Sequence, residues 1–148
     1  VQPERPPEPV APVHARPCRI LMAEDNEVNA AIATEILRDK GAEIDVAGNG
    51  QAAVDAFAAH PAGYYDVILM DVQMPVLDGR AAARAIRALP RPDGAGIPIF
   101  ALSADAFVED IRLSKESGMN DHLVKPIDFD QLWQRIQSLL VEKERDVR

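Results

Sequence analysis

Residues 67–79 read VILMDVQMPVLDG, and this stretch decides the fold. Four consecutive apolar residues, Val67–Met70, are too few for a helix and read as a strand buried on both faces. The run stops at a carboxylate, Asp71. Turn chemistry follows, with Met74-Pro75 and then Asp78-Gly79 leading into a new segment. Working outward, three other stretches have the same form: CRILMAED (18–25), IPIFALS (97–103) and HLVKP (122–126). Each closes a short apolar run with a polar residue of reactive type: Glu24-Asp25, Ser103 and Lys125. Ile44–Val46 supplies a fifth run.

Helical patterns separate these runs. Val28, Ile32, Ile36 and Leu37 recur at helical spacing, and Gly41 follows where a C-terminal cap falls. Ala52–Ala59, Ala81–Leu89, Phe107–Ser117 and Phe129–Val141 supply four more. Strands alternating with helices predict an α/β, doubly wound five-stranded parallel sheet with five helices and right-handed crossovers. In such a sheet the strand C-terminal ends converge on one edge, where ligands bind. One site then holds two or three carboxylates, a hydroxyl and an ammonium. Crowded carboxylates repel unless a cation sits among them, and hard divalent cations prefer oxygen ligands. With the ammonium and hydroxyl added, the site suits a bound phosphoryl group.

Composition bounds the rest. At 148 residues the chain is one domain plus a tail. A net charge of −8 argues against a nucleic-acid surface within this segment. The lone cysteine, Cys18, excludes an internal disulfide framework and reads as a small core residue entering the first strand. No apolar run approaches the ~20 residues that cross a bilayer, so no membrane contact by this segment is expected. Residues 1–17 (VQPERPPEPVAPVHARP) read as a proline-rich linker, and residues 18–141 as the domain. Residues 142–148 read as a charged tail fraying after the last helix. The start at Val1, without an initiator Met, suggests a piece of a longer chain.

Each polar residue has a plainer reading. Glu24-Asp25 alone would be an N-cap pair, Ser103 a helix cap, Lys125 a solvated charge and Asp71 a turn cap. It is their joint placement at strand ends that favours the site.

At these residues the chain resembles the receiver domain of two-component response regulators. VILMDVQMPVLDG matches the family's apolar strand, Asp, two residues, Met-Pro and Asp-Gly. AEDNEVNAAIATEIL and GMNDHLVKPID resemble receivers attached to hybrid sensor histidine kinases, and the likeness spans roughly residues 19–140. It implies sheet order 2-1-3-4-5. It also implies Asp71 as phosphoacceptor and Mg²⁺ (or Mn²⁺) held by Asp25, Asp71, Glu24 through water and the Gln73 backbone carbonyl. Ser103 would bind a phosphoryl oxygen and Lys125 would neutralise charge, with Lys125-Pro126 cis. Gln73 and Asp105 fall at positions that tune hydrolysis.

There are departures from the family pattern. His122 stands three residues before the lysine, where many receivers carry Tyr or Phe. As the switch residue it would respond to pH near a histidine's usual value of about 6.5; a surface histidine is the plainer reading. The loop Pro90–Gly96 is longer than in compact receivers and lies away from the reaction edge.

The resemblance implies phosphoryl transfer from a histidine kinase phosphohistidine domain, onward relay to a histidine phosphotransfer protein, and a cytoplasmic placement. That placement includes the cytoplasmic part of a membrane-bound sensor kinase. Asn29, Ala30, Ala33 and Ile36 on the first helix are the expected docking positions. Such a domain promotes transfer onto its own Asp without turnover of an external product. The rivals are a stand-alone regulator, a phosphorylation-independent interaction module, a flavodoxin-like cofactor binder and an aspartate-nucleophile phosphatase. AEDNE would repel a flavin phosphate, and those phosphatases commonly carry a second Asp where Gln73 stands.

Overall fold

The computed structural model describes residues 17–104 and 107–147, with residues 142–147 described by backbone alone. All of the expected linker except Pro17, and Asp105, lie outside the described residues. The strands are β1 (Arg19–Ala23), β2 (Glu43–Ala47), β3 (Val67–Asp71), β4 (Ile99–Ser103) and β5 (Asp121–Val124). They form one parallel sheet in the order β2-β1-β3-β4-β5.

The helices are α1 (Glu27–Asp39), α2 (Gly50–Ala59), α3 (Gly79–Arg87), α4 (Pro92–Gly96), α5 (Val108–Glu116) and α6 (Phe129–Val147). Among the described residues six helices stand where five were expected. The extra one, α4, is a short helix inside the stretch read as a long loop. Pro92 fits the first turn, where no backbone N–H is needed, and Asp93 suits that end of the helix. The Arg91 guanidinium clips the turn in place, donating to Asp93 at 2.7 and 3.1 Å and to the Phe57 carbonyl at 3.1 Å. The last helix continues to Val147, into the residues set apart as a charged tail.

Alternate residues along each strand face opposite layers, as a pleated strand requires. Leu21, Ile68, Met70, Ile99 and Ala101 pack with Phe57 of α2 and Ile86 of α3. Ile20, Met22, Val67, Leu69, Phe100 and Leu102 pack on the other face with Leu37 of α1 and Leu132, Ile136 and Leu140 of α6. Burial on both faces explains why β1, β3 and β4 are near-continuous apolar runs. Cys18 is half-buried at the margin of the second layer.

The α1 pattern needs correction. Its buried residues are Ala30, Ala33 and Leu37, whereas Val28 and Ile32 are 67% and 49% exposed. Alanines let the helix lie close to the sheet, so the larger side chains at spacing four turn outward.

The strand register positions the site. Ala23 pairs with Met70, Asp71 with Leu102, and Ser103 with Val124. The residues at or just past these pairs are Glu24, Asp71, Ser103 and Lys125, side by side along the strand-exit edge. Among the described residues no helix is long and apolar enough to cross a membrane.

Candidate functional site at the strand-exit edge

Glu24, Asp25 and Asp71 each bring a carboxylate oxygen to within 4.8 Å of the others. Glu24 and Asp71 are buried and Asp25 is exposed, so the cluster opens to solvent on one side. Capping α1 does not account for the acidic pair, because the N-cap is Asn26, whose side chain accepts the Asn29 N–H at 3.0 Å. Glu24 Oε2 accepts the Asn26 N–H at 3.2 Å, which fixes the buried carboxylate.

Asp71 is held by both oxygens. Oδ1 accepts the Gln73 N–H at 3.1 Å, and Oδ2 accepts from Lys125 Nζ at 3.0 Å. The same ammonium reaches Glu24 Oε1 at 3.2 Å. Lys125 follows β5, and the Lys125–Pro126 peptide bond is cis.

One ammonium does not balance the carboxylates it serves. Burial pushes the Glu24 carboxyl above the usual range, and the Asp71 charge adds to this, against the Asn26 amide and Lys125. Burial works against a charged Lys125, but Asp71 and Glu24 outweigh it and hold the ammonium above its usual value. The acidic group is therefore short of positive charge. Its donors are all oxygens, which suits a hard divalent cation such as Mg²⁺.

The loop from β3 to α3 is built around Asp71. Leu77 N donates to the Pro75 carbonyl at 2.7 Å, closing a γ-turn on Val76 at a φ of 70°. A β-branched residue is strained there. Two glycines allow the loop to close. A Cβ on Gly79 would fall 2.1 Å from the Asp71 carbonyl oxygen, and one on Gly50 would fall 2.0 Å from that of Leu77. The sequence marked Gly79 as a turn residue; it gave no sign of Gly50, whose partner is remote in the chain.

Ser103 is not a helix cap either. The N-cap of α5 is Phe107, with no side-chain cap bond. Instead Ser103 Oγ lies 2.7 Å from His122 Nε2 across the β4–β5 pair. His122 is half-buried, so the surface-histidine reading does not describe it. A cleft of about 310 Å³ opens beside these groups, lined by Gln73, Asp78, Ser103 and Ala104 and, from the helices, Arg80 and Asp110. Arg80 was not singled out from the sequence, although Arg80, Arg84 and Arg87 in an alanine-rich helix share one face by spacing.

A second groove, of about 450 Å³, joins Asn29 and Ile32 of α1 to Lys125, Pro126, Ile127 and Phe129. Of the expected docking positions, Asn29 is exposed, Ile36 half-buried, and Ala30 and Ala33 face inward. Ala30 and Ala33 are buried, although Ala33 lines this groove, and the large apolar side chains that α1 exposes are Val28 and Ile32.

The profile of the response regulator receiver domain matches residues 20–137. The chain belongs to this family. The sensor histidine kinase GacS of Pseudomonas protegens is 39% identical over 128 residues, covering 86% of this chain and 14% of that protein. Hybrid signal transduction histidine kinase I of Dictyostelium discoideum is 37% identical over 124 residues, covering 82% and 7%. The chain therefore spans only a small part of the kinases it resembles. Among solved structures, the receiver domain of the Pseudomonas aeruginosa sensor histidine kinase PA1611 carries magnesium in its active-site cleft. It superposes with a TM-score of 0.75 at 37% identity, covering 84% of this receiver and 98% of that chain. The Saccharomyces cerevisiae complex of the histidine phosphotransfer protein Ypd1 with the Ssk1 receiver matches with a TM-score of 0.72 at 35% identity, covering 81% and 86%.

Proposed function

We propose that this receiver takes a phosphoryl group from a phosphohistidine onto Asp71 with Mg²⁺, and then relays it or changes conformation. The observation that supports this most is the bridging ammonium. Lys125 lies between Asp71 Oδ2 and Glu24 Oε1, so the nucleophile is oriented and adjacent to a cation.

In the transfer an Asp71 oxygen attacks phosphorus, the nitrogen–phosphorus bond breaks, and its electron pair returns to the donor imidazole. Lys125 exchanges its bond to Asp71 for one to a phosphoryl oxygen. Ser103 leaves His122 to donate to another phosphoryl oxygen, and His122 releases or follows it as the switch partner. Asp25, Asp71, Glu24 through water and the Gln73 carbonyl would hold Mg²⁺ (or Mn²⁺), which offsets the charge gathering on the transferring group. Gln73 at the cleft governs the approach of the water that later hydrolyses the acyl phosphate; Asp105, assigned the same task, lies outside the described residues.

The donor is the phosphohistidine domain of a kinase and the acceptor a histidine phosphotransfer protein. Both dock at the groove between α1 and the β5–α6 connection, where Asn29, Ile32 and Phe129 surround an opening that reaches Lys125. The parent protein is a hybrid sensor histidine kinase whose receiver faces the cytoplasm. The test is transfer from a radiolabelled phosphohistidine phosphotransfer protein. Label should move to the wild-type chain, not to Asp71→Asn, and only slowly to Ile32→Asp. Transfer to Asp71→Asn at the wild-type rate would overturn the assignment.

A further inference from the structure

The helix nearest the cleft is anchored unusually. Within its own length α5 buries a single residue, Ser114. Phe107 and Val108 at its start are 68% and 83% exposed. In place of an apolar seam, three arginines on one face of α3 hold it.

Arg80 Nη2 donates to the Asp110 carbonyl at 3.0 Å and lies 3.7 Å from its carboxylate, while Nε reaches Ser114 Oγ at 3.4 Å. Arg84 Nη1 donates to Ser117 Oγ at 3.0 Å. Arg87 donates to the Gly118 carbonyl at 2.9 and 2.7 Å, to Asn120 Oδ1 at 2.8 Å and to the Gly94 carbonyl at 3.1 Å.

The two ends of this ladder differ. At the Arg87 end the partners are fixed to the core. Asn120 exchanges bonds with Ile99 at the start of β4, at 2.7 and 2.8 Å. Gly118, at a φ of 99°, lies so close that a Cβ there would come within 2.8 Å of Arg87 Cγ. At the Arg80 end the partners belong only to α5, and the guanidinium lines the same cleft as Ser103 and Ala104. Ser103 closes β4, and Asp110 of α5 lines the cleft beside it.

We propose that α5 is hinged at Arg87 and latched at Arg80, so that Arg80 is a positioning residue holding α5 in the arrangement of the unphosphorylated receiver. This rests on the proposed function above. When Ser103 turns to a phosphoryl group on Asp71, the cleft that it shares with Arg80 and Asp110 rearranges, and the Arg80 bonds to Asp110 and Ser114 are lost. Those bonds exchange for water at small cost, whereas the Arg87 end remains in the core. A contact made in only one of two states shifts the balance between them. Breaking the latch therefore favours the phosphorylated arrangement.

The test is binding of beryllofluoride, a mimic of the phosphoryl group, in the presence of Mg²⁺. It is followed by ¹⁹F NMR alongside thermal melting of the same proteins. Arg80→Gln should bind the mimic about fivefold more tightly than wild type, at the low end of usual coupling strengths. Asp110→Asn, a milder change, should shift binding the same way by less. Arg87→Gln should lower the melting temperature and leave the mimic's affinity unchanged. A merely structural Arg80 would lower stability without tightening binding. Unchanged or weaker binding in both Arg80→Gln and Asp110→Asn, with wild type binding normally, overturns the latch alone. No binding by wild type overturns the proposed function, and the latch with it.

Discussion

The two edges of the sheet are built on opposite principles. At the strand-entry edge charges and rings find partners nearby. Arg19 lies over the Tyr64 ring at 4.4 Å, and His60 stacks on that ring at 3.9 Å. The Tyr65 hydroxyl donates to Asp45 Oδ2 at 2.6 Å, and Asp93 is held below the usual carboxylate range by its bond to Arg91. At the strand-exit edge three carboxylates cluster, one ammonium bonds two of them, Glu24 is pushed up, and Val76 is strained. One edge contributes stability, while the other carries unfavourable electrostatics that a bound cation would relieve. The site is preorganised for a ligand at a cost to the empty fold.

Four substitutions would break or sharpen this contrast. The largest effect belongs to Asp71→Asn. It should cut phosphoryl acceptance by on the order of 10³-fold or more while the melting temperature holds or rises, since one repelling carboxylate is gone. A melting temperature that falls as it does for a core truncation would make Asp71 a structural residue and dissolve the contrast.

Next is Lys125→Ala. Losing a charge-assisted hydrogen bond should weaken beryllofluoride binding by about 10- to 100-fold, read by ¹⁹F NMR, although the phosphoryl group still arrives. Binding equal to wild type would remove Lys125 from the site.

At the opposite edge, Tyr65→Phe should cost about 1 kcal/mol in urea unfolding and leave phosphorylation unchanged. Burial and then the Asp45 bond keep the Tyr65 hydroxyl protonated far above its usual range. In the unfolded chain it ionises near pH 10, so the unfolded state sheds a proton that the folded state retains. Stability is full below that pH and falls as pH rises beyond it. The variant should lose this slope, and an unaltered alkaline profile would refute the assignment.

The smallest change is expected for Glu24→Gln. With its carboxyl raised, the folded state binds more protons than the unfolded one between the usual glutamate range and the raised value. Metal-free stability therefore falls as pH rises through that window. The variant should gain a few degrees in EDTA at neutral pH and lose the stabilisation that Mg²⁺ gives wild type. A lower melting temperature in EDTA would mean that the Lys125 pair outweighs the repulsion.

The sheet was legible because the central strands, buried on both faces, are written as apolar runs, and four of the five runs ended in a polar residue of evident chemistry. Helix α1 misled because packing against a sheet favours small residues. Ala30 and Ala33 carry the contact, whereas Val28 and Ile32, stronger in any hydrophobicity pattern, face outward. Helix α4 was hidden behind proline and glycine, and it is held by remote bonds: the Arg91 clip, which reaches across to Phe57, and Arg87, which donates to the Gly94 carbonyl. The carboxylates and Lys125 could be found because each ends a strand. Arg80 acts from a helix face, and its partners Asp110 and Ser114 lie about thirty residues away, so spacing names the arginines but not what they grip. The Ser103–His122 bond depends on the β4–β5 register, which pairs His122 with Ala101 and so places it across from the strand's last residues.

The central claim is that the strand-exit edge accepts a phosphoryl group on Asp71 with a divalent cation. Intact mass after incubation with acetyl phosphate tests it most directly, with Mg²⁺, with EDTA, and on Asp71→Asn. The account predicts a gain of one phosphoryl group with Mg²⁺, none in EDTA and none in the variant. The same gain in Asp71→Asn, or a gain indifferent to EDTA, would contradict it.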